Sequence, residues 1–247
     1  MTQGQHGQGA SQGASKGPFT TTASMVTYGS NGGSVDGYLA RPSDGQAHPG
    51  VILIQEWWGI EGHIKELTEL VAAQGYTVLA PDLYHGKVAK EPDEAAKHMM
   101  AMNMPAAVDE IRKGIRYLQG QSNVTPKKVG VVGFCMGGLL TWKVAEQENG
   151  ELAAIAPFYA GYYTPSADDI KKVTAPVMVV WGERDESIPV EQRNSIMQLL
   201  QQEGKTYKAL VYPAGHAFMN PTHGALHEPS AQAAWSELML WFKQYLG

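Results

Sequence analysis

The sequence predicts an α/β protein: a mostly parallel, doubly wound sheet with helices on both faces, preceded by an antiparallel hairpin. Three observations carry this prediction. Short β-branched apolar runs alternate with segments of helical period along most of the chain. Several of those runs, such as Val51-Ile52-Leu53-Ile54, are apolar without alternation, as strands covered on both faces must be. Third, Lys128-Val129-Gly130-Val131-Val132 passes through Gly133-Phe134-Cys135-Met136-Gly137-Gly138 into Leu139-Leu140-Thr141-Trp142-Lys143-Val144-Ala145, a strand turning sharply into a helix.

The elements follow in order. Ser24–Tyr28 and Val35–Ala40 flank Gly29-Ser30-Asn31-Gly32-Gly33, which reads as a hairpin with a glycine-rich turn. After the strand Val51–Ile54, a polar break Gln55-Glu56-Trp57-Trp58-Gly59 leads into Ile64, Leu67, Leu70 and Val71 at helical spacing, with a stop at Gly75. Tyr76–Ala80 is the next strand, closed by Pro81-Asp82. Glu91 to Leu118 reads as two helices broken at Pro105, with Met99, Met100, Met102 and Met104 as gap-filling core. Leu152–Ala156 and Val177–Trp181 are further strands, the first followed by a loop carrying Tyr159, Tyr162 and Tyr163. A helix from Pro189 to about Gln202 leads to the strand Tyr207–Tyr212. Trp235, Leu238, Met239, Trp241, Phe242 and Tyr245 line a closing helix.

Composition narrows the function classes. The 247 residues suit a single domain over 19–247, with 1–18, rich in Gly, Gln and Ser, expected to be a disordered tail. Charged residues make up 17% and the net charge is −5, so no nucleic-acid footprint is expected. One cysteine excludes an internal disulfide framework and suits a reducing cytoplasm. No stretch approaches the roughly 20 apolar residues of a membrane span, and the N-terminus lacks the apolar centre of a secretory signal. A monomer or homodimer is expected.

In a sheet of this kind ligands sit at the carboxyl ends of strands. Glu56, Cys135, Asp185 and His216 all follow strands there. Gly-x-Cys-x-Gly between strand and helix is the pattern of a nucleophile elbow, in which small neighbours let a strained residue expose its side chain at a helix N-terminus. A buried filler cysteine, or a tight turn without chemistry, would be written with the same residues. The context favours chemistry, because nucleophile, acid and histidine occur in the chain order of α/β-hydrolases. A free thiol with a pKa of about 8.5 is only slightly ionised at neutral pH and needs activation. His216 is the candidate base, Asp185 the group that fixes its tautomer, and the backbone N–H groups of Met136 and Trp57 the candidate oxyanion donors.

Other candidates have structural readings beside the functional ones. Asp82 after Pro81 reads as a turn former, Asp168 and Asp169 as caps, and His63 as a helix residue. His223 and His227 have metal-like spacing, but no carboxylate or thiolate cluster supports a site, and no metal or cofactor is expected. Trp57, Trp58 and Phe218 flank the site as pocket walls or as core. Tyr84 and His85 are further pocket candidates.

Taken together, Gln55-Glu56-Trp57-Trp58-Gly59 with His63-Ile64, Ala80-Pro81-Asp82-Leu83-Tyr84, the cysteine elbow, Trp181-Gly182-Glu183-Arg184-Asp185 and Tyr212-Pro213-Ala214-Gly215-His216-Ala217-Phe218 resemble the dienelactone hydrolase (carboxymethylenebutenolidase) family of α/β-hydrolases, from about Ser24 to Leu246. The resemblance implies a triad of Cys135, His216 and Asp185. It also implies that Glu56 holds the resting thiol and moves aside when substrate arrives. The chain departs from the family at the substrate carboxylate: His85-Gly86 and Met219-Asn220 stand where carboxylate-binding arginines are expected, with Lys87 near the first. The expected activity is cleavage of a small ester or lactone. The alternatives are a broad carboxylesterase or phosphotriesterase in the same pocket, and a non-catalytic thiol sensor or binding protein.

Overall fold

A computed structural model describes residues 17–29, 33–148 and 150–247. Residues 1–16 of the expected tail, and Ser30 to Gly32 of the expected turn, lie outside the described residues. The sheet has eight strands in the order β1-β2-β4-β3-β5-β6-β7-β8. β1 (Thr21–Tyr28) and β2 (Val35–Pro42) form the antiparallel hairpin, and β2 docks antiparallel on β4 (Thr77–Pro81). Every other pairing is parallel, through β3 (Gly50–Ile54), β5 (Val129–Phe134), β6 (Leu152–Phe158), β7 (Val177–Gly182) and β8 (Tyr207–Tyr212).

Every residue of β3 and of β5 is buried, so both faces are covered there, which is why these strands are written without polar alternation. The cover comes from α1 (Gly62–Ala73) against β2 and β4, α3 (Met104–Gly120) against β3 and β4, α4 (Met136–Ala145) against β5 and β6, and α7 (Glu228–Leu246) along β5 to β7. α2 (Pro92–Ala101), α5 (Ala167–Lys172) and α6 (Val190–Gln202) complete the chain. No helix among the described residues is long and apolar enough to cross a membrane.

Two boundaries differ instructively from expectation. The break between α2 and α3 falls before Pro105, not at it. Asn103 caps α3 by accepting from the Ala106 N–H at 3.0 Å, and Pro105 sits in the first turn, where a missing N–H costs nothing. Asp168 and Asp169 do mark a helix start, but the cap is Ser166, whose hydroxyl pairs with the Asp169 N–H while the Asp169 carboxylate reaches back. Of the four methionines expected in the core, Met99, Met102 and Met104 pack against it and Met100 is 83% exposed.

Candidate active site

The strand order reverses between β3 and β5, and the crevice opens at their carboxyl ends. Cys135 is the single residue between β5 and α4, with φ 55° and ψ −115°, a left-handed backbone that a β-carbon disfavours. Its neighbours show why the elbow needs glycine. A Cβ on Gly133 would lie 2.1 Å from the Gly137 carbonyl oxygen, and one on Gly137 2.4 Å from that of Ile54. One on Gly138 would lie 2.5 Å from the Phe158 carbonyl oxygen. The start of α4 is thus pressed onto the ends of β3 and β6, and the half-buried thiol projects from the junction.

Asp185 follows β7 and His216 follows β8. Their loops are locked together, since the Glu183 N–H donates to Tyr212 O at 2.7 Å and the Arg184 N–H to Ala214 O at 2.9 Å. His216 Nε2 lies 3.1 Å from Cys135 Sγ, and His216 Nδ1 lies 2.7 Å from Asp185 Oδ2. Burial alone would lower the His216 pKa, but hydrogen bonds and charge from Asp185 and Cys135 outweigh it and carry it to about 10. Burial would likewise raise Asp185. The hydrogen bonds from His216 and Ser187 prevail and hold its carboxyl below the usual range.

Glu56 is buried beside this array. The Tyr159 hydroxyl donates to its Oε1 at 3.3 Å and the Asn220 amide to its Oε2. Burial, set against the Asn220 hydrogen bond, pushes its carboxyl up to about 7. The resemblance predicts a resting hydrogen bond from the thiol to Glu56. In this structure the thiol faces His216 instead, and Tyr159 and Asn220 already occupy both carboxylate oxygens.

Of the expected oxyanion donors, Met136 directly follows Cys135 and Trp57 lies on the loop after β3. Met136 opens α4, so its N–H has no partner inside the helix. The Trp57 N–H, on the loop after β3, has no backbone acceptor among the described residues. The expected pocket residues divide. Trp58 stacks flat on His223 at 3.6 Å, with Trp57 edge-on to it at 5.2 Å. The buried Tyr84 hydroxyl donates to Met136 Sδ at 3.2 Å. His85 projects toward solvent and pairs with Glu110 at 3.5 Å. With Tyr84, Lys87 and His98 it lines a cleft of about 260 Å³ between the loop after β4 and α2 and α3. Phe218 corrects the reading as a pocket wall: it is fully buried against Tyr159 and Tyr212 and braces the histidine loop from beneath. His223 pairs with Glu61 at 3.1 Å while His227 bonds Ser230 Oγ at 2.7 Å, so these two histidines serve different partners.

Sequence reasoning misses Tyr159, Ser187 and Glu61 as site residues, and notes Asn220 only as a place without arginine. Tyr159 directly follows the carboxyl end of β6, and Ser187 lies two residues beyond the acid. Those positions are the signals that could have found them.

A cysteine in a strained backbone between strand and helix, linked through a histidine to a carboxylate beyond the end of a later strand, fits the α/β-hydrolase fold. The chain belongs to the dienelactone hydrolase family, whose model matches residues 35–246, and it is a hydrolase. It is 37% identical over 230 residues to protein usf of Aquifex pyrophilus, covering 90% of this chain and 98% of that one. It is 31% identical over 231 residues to a protein of Aquifex aeolicus provisionally named a carboxymethylenebutenolidase, again covering 90% and 98%. A crystal structure from Klebsiella pneumoniae, provisionally named a dienelactone hydrolase, superposes with a TM-score of 0.83 at 26% identity, covering 92% of this chain and 100% of that one.

Proposed function

We propose that this protein is a cysteine hydrolase of small activated esters or lactones, acting through Cys135, His216 and Asp185. The observation that carries the reading is the unbroken line from Cys135 Sγ through both nitrogens of His216 to Asp185 Oδ2, at 3.1 and 2.7 Å. His216 takes the thiol proton at Nε2, and Asp185 stabilises the imidazolium through Nδ1. The thiolate attacks the carbonyl carbon, and the π electrons move onto oxygen, facing the N–H groups of Met136 and Trp57. On collapse the C–O bond to the leaving group breaks, and Nε2 returns its proton to the departing oxygen. A thioester remains. Water, deprotonated by the now neutral His216, adds to it, and expulsion of the thiolate releases the acid.

A thiolate leaves a tetrahedral intermediate easily, so forward collapse needs a leaving group at least as good. Enol lactones and aryl esters meet this requirement and simple alkyl esters do not. A small-molecule ester or lactone is accordingly the proposed partner, in a reducing compartment that keeps Cys135 free. The test is turnover of dienelactone and of p-nitrophenyl acetate, with loss of both in Cys135→Ala.

A further inference from the structure

Asp185 Oδ1, the oxygen that His216 Nδ1 leaves to others, is taken twice by one residue. The Ser187 N–H donates to it at 3.0 Å and the Ser187 hydroxyl at 2.6 Å. The same hydroxyl oxygen lies 3.1 Å from His216 Nδ1. Its proton is committed to Asp185, so toward the imidazole it offers only lone pairs. The Nδ1–H therefore has two acceptors, Asp185 Oδ2 at 2.7 Å and Ser187 Oγ at 3.1 Å.

We propose that Ser187 is a positioning residue that extends the triad to a fourth member. It fixes the plane of the Asp185 carboxylate and gives the imidazolium a second acceptor, which favours the thiolate–imidazolium pair. This rests on Cys135, His216 and Asp185 being the catalytic set. Two features make the role specific. A carboxylate held by one hydrogen bond is free to turn about its terminal torsion, whereas donors on both oxygens define its plane. Ser187 is itself exposed, on the turn between β7 and α6, so its hydroxyl fills no core space and its contacts are directed at the triad. The charged and titratable groups facing His216 are Asp185, Cys135 and Glu56. The Tyr159 ring lies edge-on at 5.2 Å, and Tyr84 stands beyond Cys135.

The test compares the parent with Ser187→Ala and Ser187→Thr on the resting enzyme. It follows the pH dependence of thiolate ultraviolet absorbance, the alkylation rate with iodoacetamide, and the low-field proton resonance of His216 Nδ1–H. In Ser187→Ala the resonance shifts upfield and thiolate formation moves to higher pH. Alkylation at neutral pH then slows about fivefold, the worth of one hydrogen bond. With p-nitrophenyl acetate, kcat falls by a similar factor at unchanged KM, and Ser187→Thr, which keeps the hydroxyl, restores all of these. If Ser187→Ala matches the parent in resonance and thiol titration, Ser187 is an ordinary turn residue and the proposal is overturned. The thiol measurements need no turnover, so failure of the parent to hydrolyse esters would count against the hydrolase reading and leave Ser187 to be judged separately.

Discussion

Cys135 is held in a conformation that costs about 1–3 kcal/mol for a residue with a side chain. Glycine there would relieve the strain, against roughly 0.5–1 kcal/mol of added chain entropy in the unfolded state. Cys135→Gly is therefore expected to unfold at higher denaturant, by about 1 kcal/mol, while losing activity. A lower midpoint would show that the elbow stores no strain. Asp185 leads to a second expectation. Asp185→Asn presents an amide to His216 Nδ1 and favours the wrong tautomer, so kcat should fall by roughly 10⁴-fold. A loss below tenfold would remove Asp185 from the mechanism. The proposed thiol mechanism predicts a preference for activated esters over ethyl esters, and rapid ethyl ester turnover would contradict it. At this scale the sequence is only half legible. Cys135, Asp185 and His216 are readable as candidates because each lies beyond the carboxyl end of a strand, in hydrolase order. The hold of Asn220 and Tyr159 on Glu56 is not readable, because tertiary contact joins residues far apart in the chain.

Elements meet at the elbow with no room to spare. α4 begins against the carbonyl ends of β3 and β6, and Gly137 is the point of closest approach to β3. Gly137→Ala would press a methyl group against the Ile54 and Gln55 carbonyls, backbone atoms that cannot rotate away. We expect a loss of about 1–3 kcal/mol in stability, together with loss of turnover although Cys135 is intact. Parent-like melting and activity would mean that the helix start can shift freely. The strands at this junction were legible in the sequence because their apolar runs are short, rich in β-branched residues and bounded by proline and glycine, as strands covered on both faces are. The start of α3 was less so, since proline marks a helix start as readily as a break, and Asn103 decides between them through its side chain.

The whole molecule should report its buried acid and base in its pH–stability profile. Glu56 titrates at about 7 when folded against an ordinary 4.5, so between those values the folded protein holds more protons and stability falls as pH rises. His216, raised from 6.5 to about 10, contributes stability that is full below 6.5 and is lost as pH climbs to about 10. Asp185, held low, acts oppositely, its contribution vanishing as pH drops below 3.8. His63, pushed down to about 4 by burial, has the opposite sign and offsets Glu56 up to 6.5. Melting temperature should therefore decline mainly above about 6.5, and Glu56→Gln should make stability rise with pH between 4.5 and 6.5. An unchanged slope in that variant would mean that Glu56 stays charged when buried.

Hydrolysis of dienelactone and p-nitrophenyl acetate with a chelator present, by the parent and by Cys135→Ala, decides whether Cys135 is the nucleophile. Nucleophilic catalysis by Cys135 requires turnover of at least one substrate that ignores the chelator and falls by roughly 10⁴-fold or more in the variant. Turnover that survives in Cys135→Ala, or that the chelator abolishes, would contradict it.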